Sequence, residues 1–380
     1  MRMLVLGGGL QGSACAWDLL RTSEVDVTLA DQNPGGLPAF LKADKGKRLK
    51  AVKLDARDPA AVGRLIAGHQ AVMSALPYYL NDTAARLAVE AGVHFADLGG
   101  NTEIVRQQQK LDAAAREKKI SIMPDCGLAP GMVNILAAEG IRRLDTVDAV
   151  KLFVGGLPQH PHPPLNYNIV YSLEGVLDYY TSPSWVLRNG RLETVEALSD
   201  LETVEFPEPV GPLEAFHTAG GASTMPWDFE GRIPSLEYKT LRYTGHAHIM
   251  RAIRELGLLD LEPVAVNGAT VRPRDVFVRL VDAKLREPDI QDLVALKVVV
   301  TGKKGDKARR VVFQLLDFAD AEHGISAMMR TTGFSLSITG QMQVGGRVGR
   351  YGVTTAYEGM PYEPYVKALG KRGIVIEEKD

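Results

Sequence analysis

The segment from residue 214 to residue 246 carries the densest group of side chains capable of acid–base or ligand-binding chemistry. Its polar members are Glu214, His217, Thr218, Ser223, Thr224, Tyr238, Lys239, Thr240, Arg242, Tyr243 and His246. One predicted strand, 236–243, holds several of them, and successive residues of a strand point to opposite faces. Tyr238, Thr240 and Arg242 therefore share one face, and Lys239 shares the other with Tyr243. We expect one of these faces to meet a substrate.

Three of these residue types have distinct chemical uses. Arg242 is the best suited of the three to bind a carboxylate, because a guanidinium can donate two parallel hydrogen bonds. Lys239 offers a second cation or, if desolvated, a base, and His217 titrates in the range of a general base. The alternative for His217 is a core histidine bonded to a carbonyl. The predicted substrate ligands here are Tyr238, Thr240, Arg242 and Thr218, and the predicted catalytic residues are His217 and Lys239.

Further carboxylates lie outside this segment. Asp97 and Asp125 each follow a predicted strand, where a carboxylate can hold an amine or position a water molecule. We predict both as catalytic residues, with helix capping or loop hydrogen bonding as the alternative. Glu174, in YSLEG, is predicted to pair with a substrate ammonium, and the alternative is a solvated helix residue.

A glycine-rich turn near the start of the chain predicts a dinucleotide site. Gly7, Gly9 and Gly12 fit the pattern G-x-G-x-x-G between a predicted strand at 2–6 and a predicted helix at about 11–21. The first glycine permits a tight turn, the second lets the backbone approach a pyrophosphate, and the third lets the helix pack against the strand. The helix N-terminus then offers free N–H groups to the anion.

Asp31 ends the second predicted strand, about 20 residues after the glycines. A carboxylate there accepts hydrogen bonds from a ribose 2'-hydroxyl and repels a 2'-phosphate, so the sequence favours NAD over NADP. Tyr78, just past the fourth predicted strand, is predicted to line the nicotinamide pocket, with packing as the alternative. The predicted cofactor contacts are Gly7, Gly9, Leu10, Gln11, Gly12, Asp31, Asp55, Ala75, Leu76, Pro77, Gly127 and Leu128.

The elements that must position these residues alternate regularly over the first 125 residues. Strands are predicted at 2–6, 25–30, 50–54, 70–75, 93–97 and 119–123. Helices are predicted at about 11–21, from Asp58 as N-cap and Pro59 as N1 to near Gly68, from caps at Asn81 and Asp82 to Gly92, and at 103–117. Such alternation predicts an α/β fold: an N-terminal Rossmann domain with a doubly wound parallel sheet. Ligands bind beyond the carboxyl ends of the strands in such a sheet.

Beyond about residue 144 the pattern predicts an α+β domain with a mixed or antiparallel sheet. Hairpins are predicted around Asn189-Gly190, Asn267-Gly268 and 302–306, a loop at 157–164, and helices near 173–180, 247–256, 274–285 and 328–345. Small residues in the last helix allow it to pack back on the nucleotide domain. We therefore assign 1–125, completed by 330–380, to dinucleotide binding. Residues 126–329 are assigned to substrate binding, catalysis and oligomerisation.

Composition excludes several classes of partner. The 380 residues are 45% hydrophobic and 24% charged with a net charge of −2, and no basic block is present, so nucleic acid is not expected. No apolar stretch approaches the ~20 residues that span a bilayer, so no membrane association is expected. Cys15 and Cys126 are far apart, which favours a reduced, cytoplasmic setting. The histidine pairs at 160–162 and 246–248 lack further ligands at metal spacing, so no metal is predicted.

Longer motifs connect the chain to a known family. They are LVLGGGLQG, DLGGN, PDCGLAPGMVNIL, VGGLP, PPLNYN, YSLEGVLDYYT, GPLEAFHTAGGAST and LEYKTLRYTGH. Over nearly its whole length the chain resembles the saccharopine dehydrogenase superfamily, and the run from VGGLP to LRYTGH resembles the lysine 6-dehydrogenases. That resemblance implies NAD-dependent oxidative deamination of the L-lysine ε-amine to 2-aminoadipate 6-semialdehyde, which cyclises to piperideine-6-carboxylate, with release of ammonia. It also implies a homodimer or larger homo-oligomer.

Two other functions stay open on sequence grounds. A saccharopine- or carboxynorspermidine-type enzyme of the same superfamily joins an amine to an aldehyde and often uses NADP, which Asp31 disfavours. A non-catalytic NAD/NADH-sensing protein would need no convergent histidine, lysine, arginine and tyrosine, so the polar segment 217–246 argues against it.

Overall fold

We describe the fold from a computed structural model, which covers residues 1–42, 44–169, 173–285 and 291–379. The chain divides into two compact units. Unit 1 contains Met1–Asp145, Ser223–Met225 and Met329–Lys379. Unit 2 contains Thr146–Ala222 and Pro226–Met328.

The first 145 residues alternate strands with helices. In chain order the elements are β1 (Arg2–Leu6), α1 (Leu10–Thr22), β2 (Asp26–Asp31), α2 (Ala39–Lys42), β3 (Leu49–Lys53), α3 (Pro59–Ile66), β4 (Ala71–Ser74), α4 (Asn81–Ala91), β5 (His94–Asp97), α5 (Thr102–Gln109), α6 (Asp112–Glu117), β6 (Ser121–Met123) and α7 (Met132–Arg142). A 3-10 turn at Tyr78–Leu80 precedes α4.

The middle of the chain is richer in strands. Its elements are β7 (Thr146–Pro158), α8 (Leu173–Thr181), β8 (Ser184–Arg188), β9 (Arg191–Val195), β10 (Glu202–Glu205), β11 (Pro212–His217), α9 (Met225–Asp228), β12 (Ser235–Arg242), α10 (His246–Glu255), β13 (Val264–Val266), β14 (Ala269–Val271), α11 (Pro273–Leu285), β15 (Asp292–Lys304) and β16 (Lys307–Phe318). The C-terminal elements are α12 (Ala327–Val344), β17 (Gly352–Val353), α13 (Ala356–Gly359), α14 (Tyr362–Gly370) and β18 (Glu377–Lys379).

Unit 1 is built on a parallel sheet with the strand order β17-β6-β5-β4-β1-β2-β3. This confirms the predicted doubly wound sheet, to which the structure adds β17 as an edge strand beside β6. Every residue of β4 is buried, as expected for a strand covered on both faces. The core on one side includes Leu4, Leu6, Val72, Phe95 and Ile122.

Local capping explains where the helices of unit 1 begin. Asp58 accepts hydrogen bonds from the N–H groups of Ala60 and Ala61 with Pro59 at N1, as predicted. The prediction that Asn81 caps α4 is wrong. Asn81 is the first residue of this helix, and its side chain accepts a hydrogen bond from Ser74. The helix predicted at 103–117 is two helices. The N–H groups of Lys110 and Leu111 bond three residues back, to Gln107 and Gln108, which tightens the chain and ends α5.

Unit 2 contains a mixed sheet with β10, β11, β12, β7, β15 and β16 adjacent in that order. The pair β12–β7 is parallel, whereas β11–β12, β15–β7 and β15–β16 are antiparallel. The predicted hairpins are present, and Asn189 and Asn267 both adopt positive φ before a glycine. The predicted loop at 157–164 is wrong at its start. β7 continues to Pro158 because Leu157 and Pro158 pair with β15.

The C-terminal part of unit 1 packs against its first helix. The helix predicted at 328–345 is confirmed as α12, and Gly333 lies so close to α1 that a Cβ there would approach Ala14 Cβ to 2.7 Å. Arg372 forms a bidentate ion pair with the buried Asp18 of α1, at 2.7 and 2.8 Å. Within the described residues, no helix combines the length and apolar character needed to cross a bilayer.

Candidate functional site

The glycine-rich turn lies at the carboxyl edge of the parallel sheet, between β1 and α1. Gly7 adopts φ +91°, and a Cβ on Gly12 would lie 1.8 Å from the Gly7 carbonyl oxygen, so a side chain at position 12 is excluded. Gly9 is the N-cap residue of α1, and no side chain caps this helix. The N–H groups of its first turn are therefore available to an anion.

The Gln11 amide tests whether this turn fits a dinucleotide. In the described part of the chain, both its Oε1 and its Nε2 are buried without a hydrogen-bond partner. A buried polar group left unsatisfied costs about 1–3 kcal/mol. A dinucleotide at the N-terminus of α1 would bring both donors and acceptors to this amide. The residues present therefore fit such a cofactor, and Leu10, 40% exposed, begins the same helix.

Asp31 lies beside the glycine turn, as predicted. Its Oδ2 accepts a hydrogen bond from the Gly8 N–H and its Oδ1 accepts one from the Asn33 N–H, both at 2.7 Å. Two backbone donors thus fix a half-buried carboxylate at the end of β2. Its role as a ribose ligand remains a prediction.

Three other predicted cofactor contacts surround the turn, in the loop after β4. The Ala75 N–H donates to Leu6 O at 2.8 Å, and a Cβ on Gly7 would lie 2.9 Å from the Ala75 oxygen. This contact carries Leu76 and Pro77 to the same edge of the sheet. Tyr78 and Tyr79 follow, 39% and 62% exposed, with their rings packed edge to face.

The other three predicted cofactor contacts have partners of their own or are buried. Asp55 is held by both Nε and Nη2 of Arg57, and this guanidinium keeps the pKa of that carboxyl well below its usual range. The carbonyls of Gly127 and Leu128 accept the first N–H groups of α7, from Met132 and Val133. Because those N–H groups are occupied, the N-terminus of α7 does not offer them to a ribose.

Asp97 and Asp125 form a buried acidic pair at the ends of the adjacent strands β5 and β6. Asp97, 1% exposed, accepts hydrogen bonds from the Gly99 N–H at 2.8 Å and from Gln108 Nε2 at 2.6 Å. Its Oδ1 also accepts one from the Asp125 N–H at 3.3 Å. Asp125, 2% exposed, accepts hydrogen bonds from the Gly100 N–H and from Ser223 Oγ. The structure therefore brings together two residues that we predicted separately.

Burial changes the acidity of this pair. Desolvation raises the pKa of Asp97 to about 6 and that of Asp125 to about 7, and the charge of Asp97 adds to the rise at Asp125. The hydrogen bonds that both accept oppose the shift. A carboxyl group that titrates near neutral pH is suited to general base and general acid catalysis.

The backbone around the pair is unusual. Asp125 adopts φ +60°, a left-handed conformation that is uncommon for residues other than glycine. Gly99 adopts φ +65°, and a Cβ there would lie 1.6 Å from Asp125 Oδ1, so the carboxyl group needs a glycine at position 99. Residues held in such conformations concentrate at functional sites.

In unit 2, one face of β12 carries the predicted substrate ligands. Arg242 Nε donates to Tyr180 OH at 3.1 Å, and that hydroxyl lies 3.0 Å from His246 Nε2. His246 Nδ1 is 2.9 Å from the Leu165 carbonyl, which can only accept, so Nδ1 carries the proton and Tyr180 donates to Nε2. Burial and the Arg242 charge lower the pKa of His246 to about 3. The chain of donors therefore runs from Arg242 through Tyr180 to a neutral histidine.

The remaining members of this face are also buried. The Arg242 guanidinium lies 4.6 Å from the centre of the Tyr167 ring. Thr218 and Thr240 share a hydrogen bond of 2.7 Å, and Tyr238 is 6% exposed. Glu174 lies in the first turn of α8, and its side chain is exposed.

His217 and Lys239 lie on the opposite face of the same strands. They are register partners, as are Glu214 and Arg242 three residues away. Lys239 Nζ donates to Glu202 Oε1 at 2.6 Å, and the fully buried His217 places Nε2 3.6 Å from Glu237 Oε2. Burial and the Lys239 charge lower the pKa of His217. The structure thus groups these two predicted catalytic residues with each other and separates them from Arg242.

Two residues of the acidic pair's surroundings were missed on sequence grounds. Ser223 was included in the polar segment without a role, and Gln108 was not considered. Neither carries a local signal, because each meets its aspartate only through the folded chain. Among the described residues, no group of three or more histidine, cysteine, aspartate or glutamate side chains is arranged to hold a metal ion.

Comparison with known proteins agrees with the geometry of unit 1. A family model described as "Saccharopine dehydrogenase NADP binding domain" matches residues 3–123, and one described as "Saccharopine dehydrogenase C-terminal domain" matches 127–374. The apo saccharopine dehydrogenase (L-Glu forming) of Saccharomyces cerevisiae has a similar fold. Its TM-score is 0.81 at 20% identity, with 100% of this chain and 99% of that chain covered.

Curated relatives carry related names. Saccharopine dehydrogenase [NADP(+), L-glutamate-forming] of Saccharomyces cerevisiae is 22% identical over 99% of this chain and 98% of its own length. The mitochondrial alpha-aminoadipic semialdehyde synthase of Mus musculus is 25% identical over 69% of this chain and 29% of its own length. The chain belongs to the saccharopine dehydrogenase family and is an oxidoreductase with that family's nucleotide-binding domain.

Proposed function

We propose that this protein is a nicotinamide-dependent dehydrogenase that oxidises the bond between Cε and nitrogen of a lysine-type amine. The observation that carries the proposal is the Asp97–Asp125 pair, buried at the carboxyl edge of the dinucleotide-binding sheet with pKa values raised to about 6 and 7. Gly7, Gly9, Gly12, Gln11 and Asp31 would hold the cofactor, which when bound accepts a hydride from the amine carbon.

Asp125 is the proposed general base. An ammonium group cannot give up hydride from its carbon, so the amine must first lose a proton. Asp125 is the better acceptor of the pair because its pKa is closer to neutral. Loss of hydride from Cε of the neutral amine then leaves an iminium, and attack of water on this iminium needs a second proton acceptor. Once Asp125 has released its first proton to solvent, its carboxylate can also accept the proton from this water.

Two substrates share this chemistry. In saccharopine the lysine ε-nitrogen also bears the glutamate carbon skeleton, and the names of the curated relatives favour this substrate. Oxidation at Cε followed by hydrolysis then releases glutamate and 2-aminoadipate 6-semialdehyde. L-lysine would give the same semialdehyde and ammonia.

The second candidate, L-lysine, is favoured by the motifs from VGGLP to LRYTGH. The alignment to the yeast enzyme is also 446 positions long, against 380 residues here, so that enzyme carries segments that this chain lacks. Arg242 remains the proposed ligand of a substrate carboxylate. Its guanidinium is held in place by Tyr180, which reduces the entropy lost on binding.

The test is NADH or NADPH formation, followed by absorbance, with saccharopine, L-lysine and L-ornithine supplied in turn. Turnover of saccharopine with release of glutamate would place the protein with its curated relatives. Turnover of L-lysine with release of ammonia would make it a lysine 6-dehydrogenase. Binding of the dinucleotide without turnover of any amine would contradict the proposal and favour a sensor.

Asp31 predicts the choice between the two cofactors. We propose NAD, because a fixed carboxylate accepts from the ribose hydroxyls and repels a 2'-phosphate. Asp31→Ser should lower kcat/KM for NAD by about 10- to 100-fold, the value of one or two hydrogen bonds to a charged group, and raise kcat/KM for NADP. Asp26→Ser is the matched control, because it makes the same change at the exposed opposite end of β2. A wild-type enzyme that prefers NADP would contradict the assignment.

A further inference from the structure

We propose that Ser223 is a positioning residue that holds the Asp125 carboxyl group for proton transfer, an inference that rests on the function proposed above. Ser223 Oγ donates to Asp125 Oδ2, across 98 residues of sequence. The serine is 4% exposed. It belongs to unit 1 with Thr224 and Met225, although the chain on either side of these three residues belongs to unit 2.

The segment is anchored at each of its three residues. Besides the bond from Ser223, Thr224 Oγ1 lies 2.8 Å from Tyr357 OH, and Met225 Sδ accepts from Asn134 Nδ2 at 3.3 Å. Ser223 adopts φ +54° and Asp125 adopts φ +60°, so both ends of the bond lie on left-handed backbone. A side-chain contact that joins two such residues is one that the surrounding structure must enforce.

Among the groups around Asp125, the Ser223 hydroxyl stabilises the ionised form of the carboxyl group. Asp97 faces it from the end of β5 and opposes its ionisation. The adjacent Cys126 thiol is buried, and burial together with Asp97 raises its pKa, so it stays neutral. The Asp125 carboxylate accepts hydrogen bonds from the Ser223 hydroxyl and from the Gly100 N–H. Hydrogen bonds to the charged form favour it, so the Ser223 hydroxyl offsets part of the cost of burial.

The direct test does not depend on turnover. The protein is labelled with 13C at aspartate Cγ, and the carboxyl signals are titrated by NMR, with Asp125→Asn identifying the Asp125 signal. Ser223→Ala should raise the pKa of Asp125 by about one, a tenfold change in its acid dissociation constant. Ser223→Cys keeps an unbranched side chain of similar size with a weaker S–H donor, so it should raise the pKa of Asp125 by less than Ser223→Ala does. An Asp125 pKa that is the same in Ser223→Ala and wild type would overturn the proposal.

The kinetic test connects the bond to catalysis. With the amine that the wild-type enzyme turns over, Ser223→Ala should move the acid limb of kcat/KM to higher pH and lower kcat about tenfold, with a smaller change in KM. Thr224→Val is the matched control, because it removes the neighbouring hydroxyl, which bonds to Tyr357, and should leave the acid limb in place. If the acid limb of kcat/KM lies at the same pH in Ser223→Ala and in the wild type, the proposal is contradicted.

The two proposals fail separately in these experiments. A wild-type enzyme that turns over no amine contradicts the proposed function, while the NMR titration still decides whether Ser223 holds Asp125. An active enzyme whose Asp125 titrates identically with and without the Ser223 hydroxyl contradicts only the role of Ser223.

Discussion

Asp125→Asn is expected to lower kcat/KM for the amine by about 10²- to 10⁴-fold, the usual contribution of a general base. The amide cannot take a proton from the substrate ammonium. Asparagine tolerates the left-handed backbone that Asp125 adopts at φ +60°, so the variant should fold and bind the dinucleotide as the wild type does. Steady-state kinetics and dinucleotide binding by fluorescence separate loss of chemistry from loss of cofactor.

The role of Asp125 as a base also predicts how kcat/KM of the wild-type enzyme depends on pH. The base must be deprotonated, and the pKa of Asp125 is raised to about 7, so kcat/KM should rise with pH through about 7 and fall below it. Asp58→Asn is the matched control, because it makes the same chemical change at an exposed helix cap, where asparagine caps as well as aspartate. If Asp125→Asn kept more than half of the wild-type kcat/KM, the base would have to be another residue, and Asp97→Asn would be the next variant.

The second large effect concerns stability. Arg372→Met is expected to lower the free energy of unfolding of unit 1 by about 3–5 kcal/mol, because it leaves the carboxylate of Asp18 buried without its cation. Asp18 and Arg372 are 1% and 7% exposed in their side chains, and Ser337 Oγ also donates to Asp18, at 2.6 Å. Removing one partner of such a pair costs far more than the pair itself contributes.

Trp17 offers a local probe for this measurement. It is adjacent to Asp18 and stacks on Phe334. In a background with Trp185→Phe and Trp227→Phe, urea unfolding followed by Trp17 fluorescence reports unit 1, because these are the three tryptophans of the chain.

Two comparisons make the stability result specific to the buried pair. Arg86→Met breaks an exposed pair with Glu90 and should cost about 0–1 kcal/mol. Adding Asp18→Asn to Arg372→Met removes the unpaired charge and should recover part of the loss. If Arg372→Met and Arg86→Met lowered the free energy of unfolding equally, the prediction of a large loss at the buried pair would be wrong.

Local patterns allowed much of the fold to be predicted. The strand before GGGLQG, the Asp58-Pro59 helix start and the Asn189-Gly190 turn depend on residues close in sequence, and each is present in the structure. The two-residue strand β17 is too short to show a pattern. The break between α5 and α6 comes from the hydrogen bonds of the Lys110 and Leu111 N–H groups to carbonyls three residues earlier. No residue type in this stretch predicts such bonds.

The site was less predictable because its contacts are long-range. Alternation on β12 did separate Arg242 from Lys239, but a single strand cannot show which covering elements each face meets. Tyr180 of α8 contacts Arg242 and His246 of α10 contacts Tyr180, whereas Glu202 contacts Lys239 from another strand. Asp97 and Asp125 were identified by their position after strands, but their shared burial and the Ser223 bond required the folded chain.

The ion pair between Asp18 and Arg372 also has a consequence for biosynthesis. The two residues are 354 positions apart, so at roughly 5–20 residues per second the ribosome takes roughly 20–70 s to supply the arginine after the aspartate has been made. During that interval Asp18 lacks its Arg372 cation, and until α12 has been made α1 also lacks this packing partner. The emerging N-terminal segment must therefore keep that carboxylate hydrated or protonated, and the first helix can be buried as in the folded protein only after Arg372 has been made.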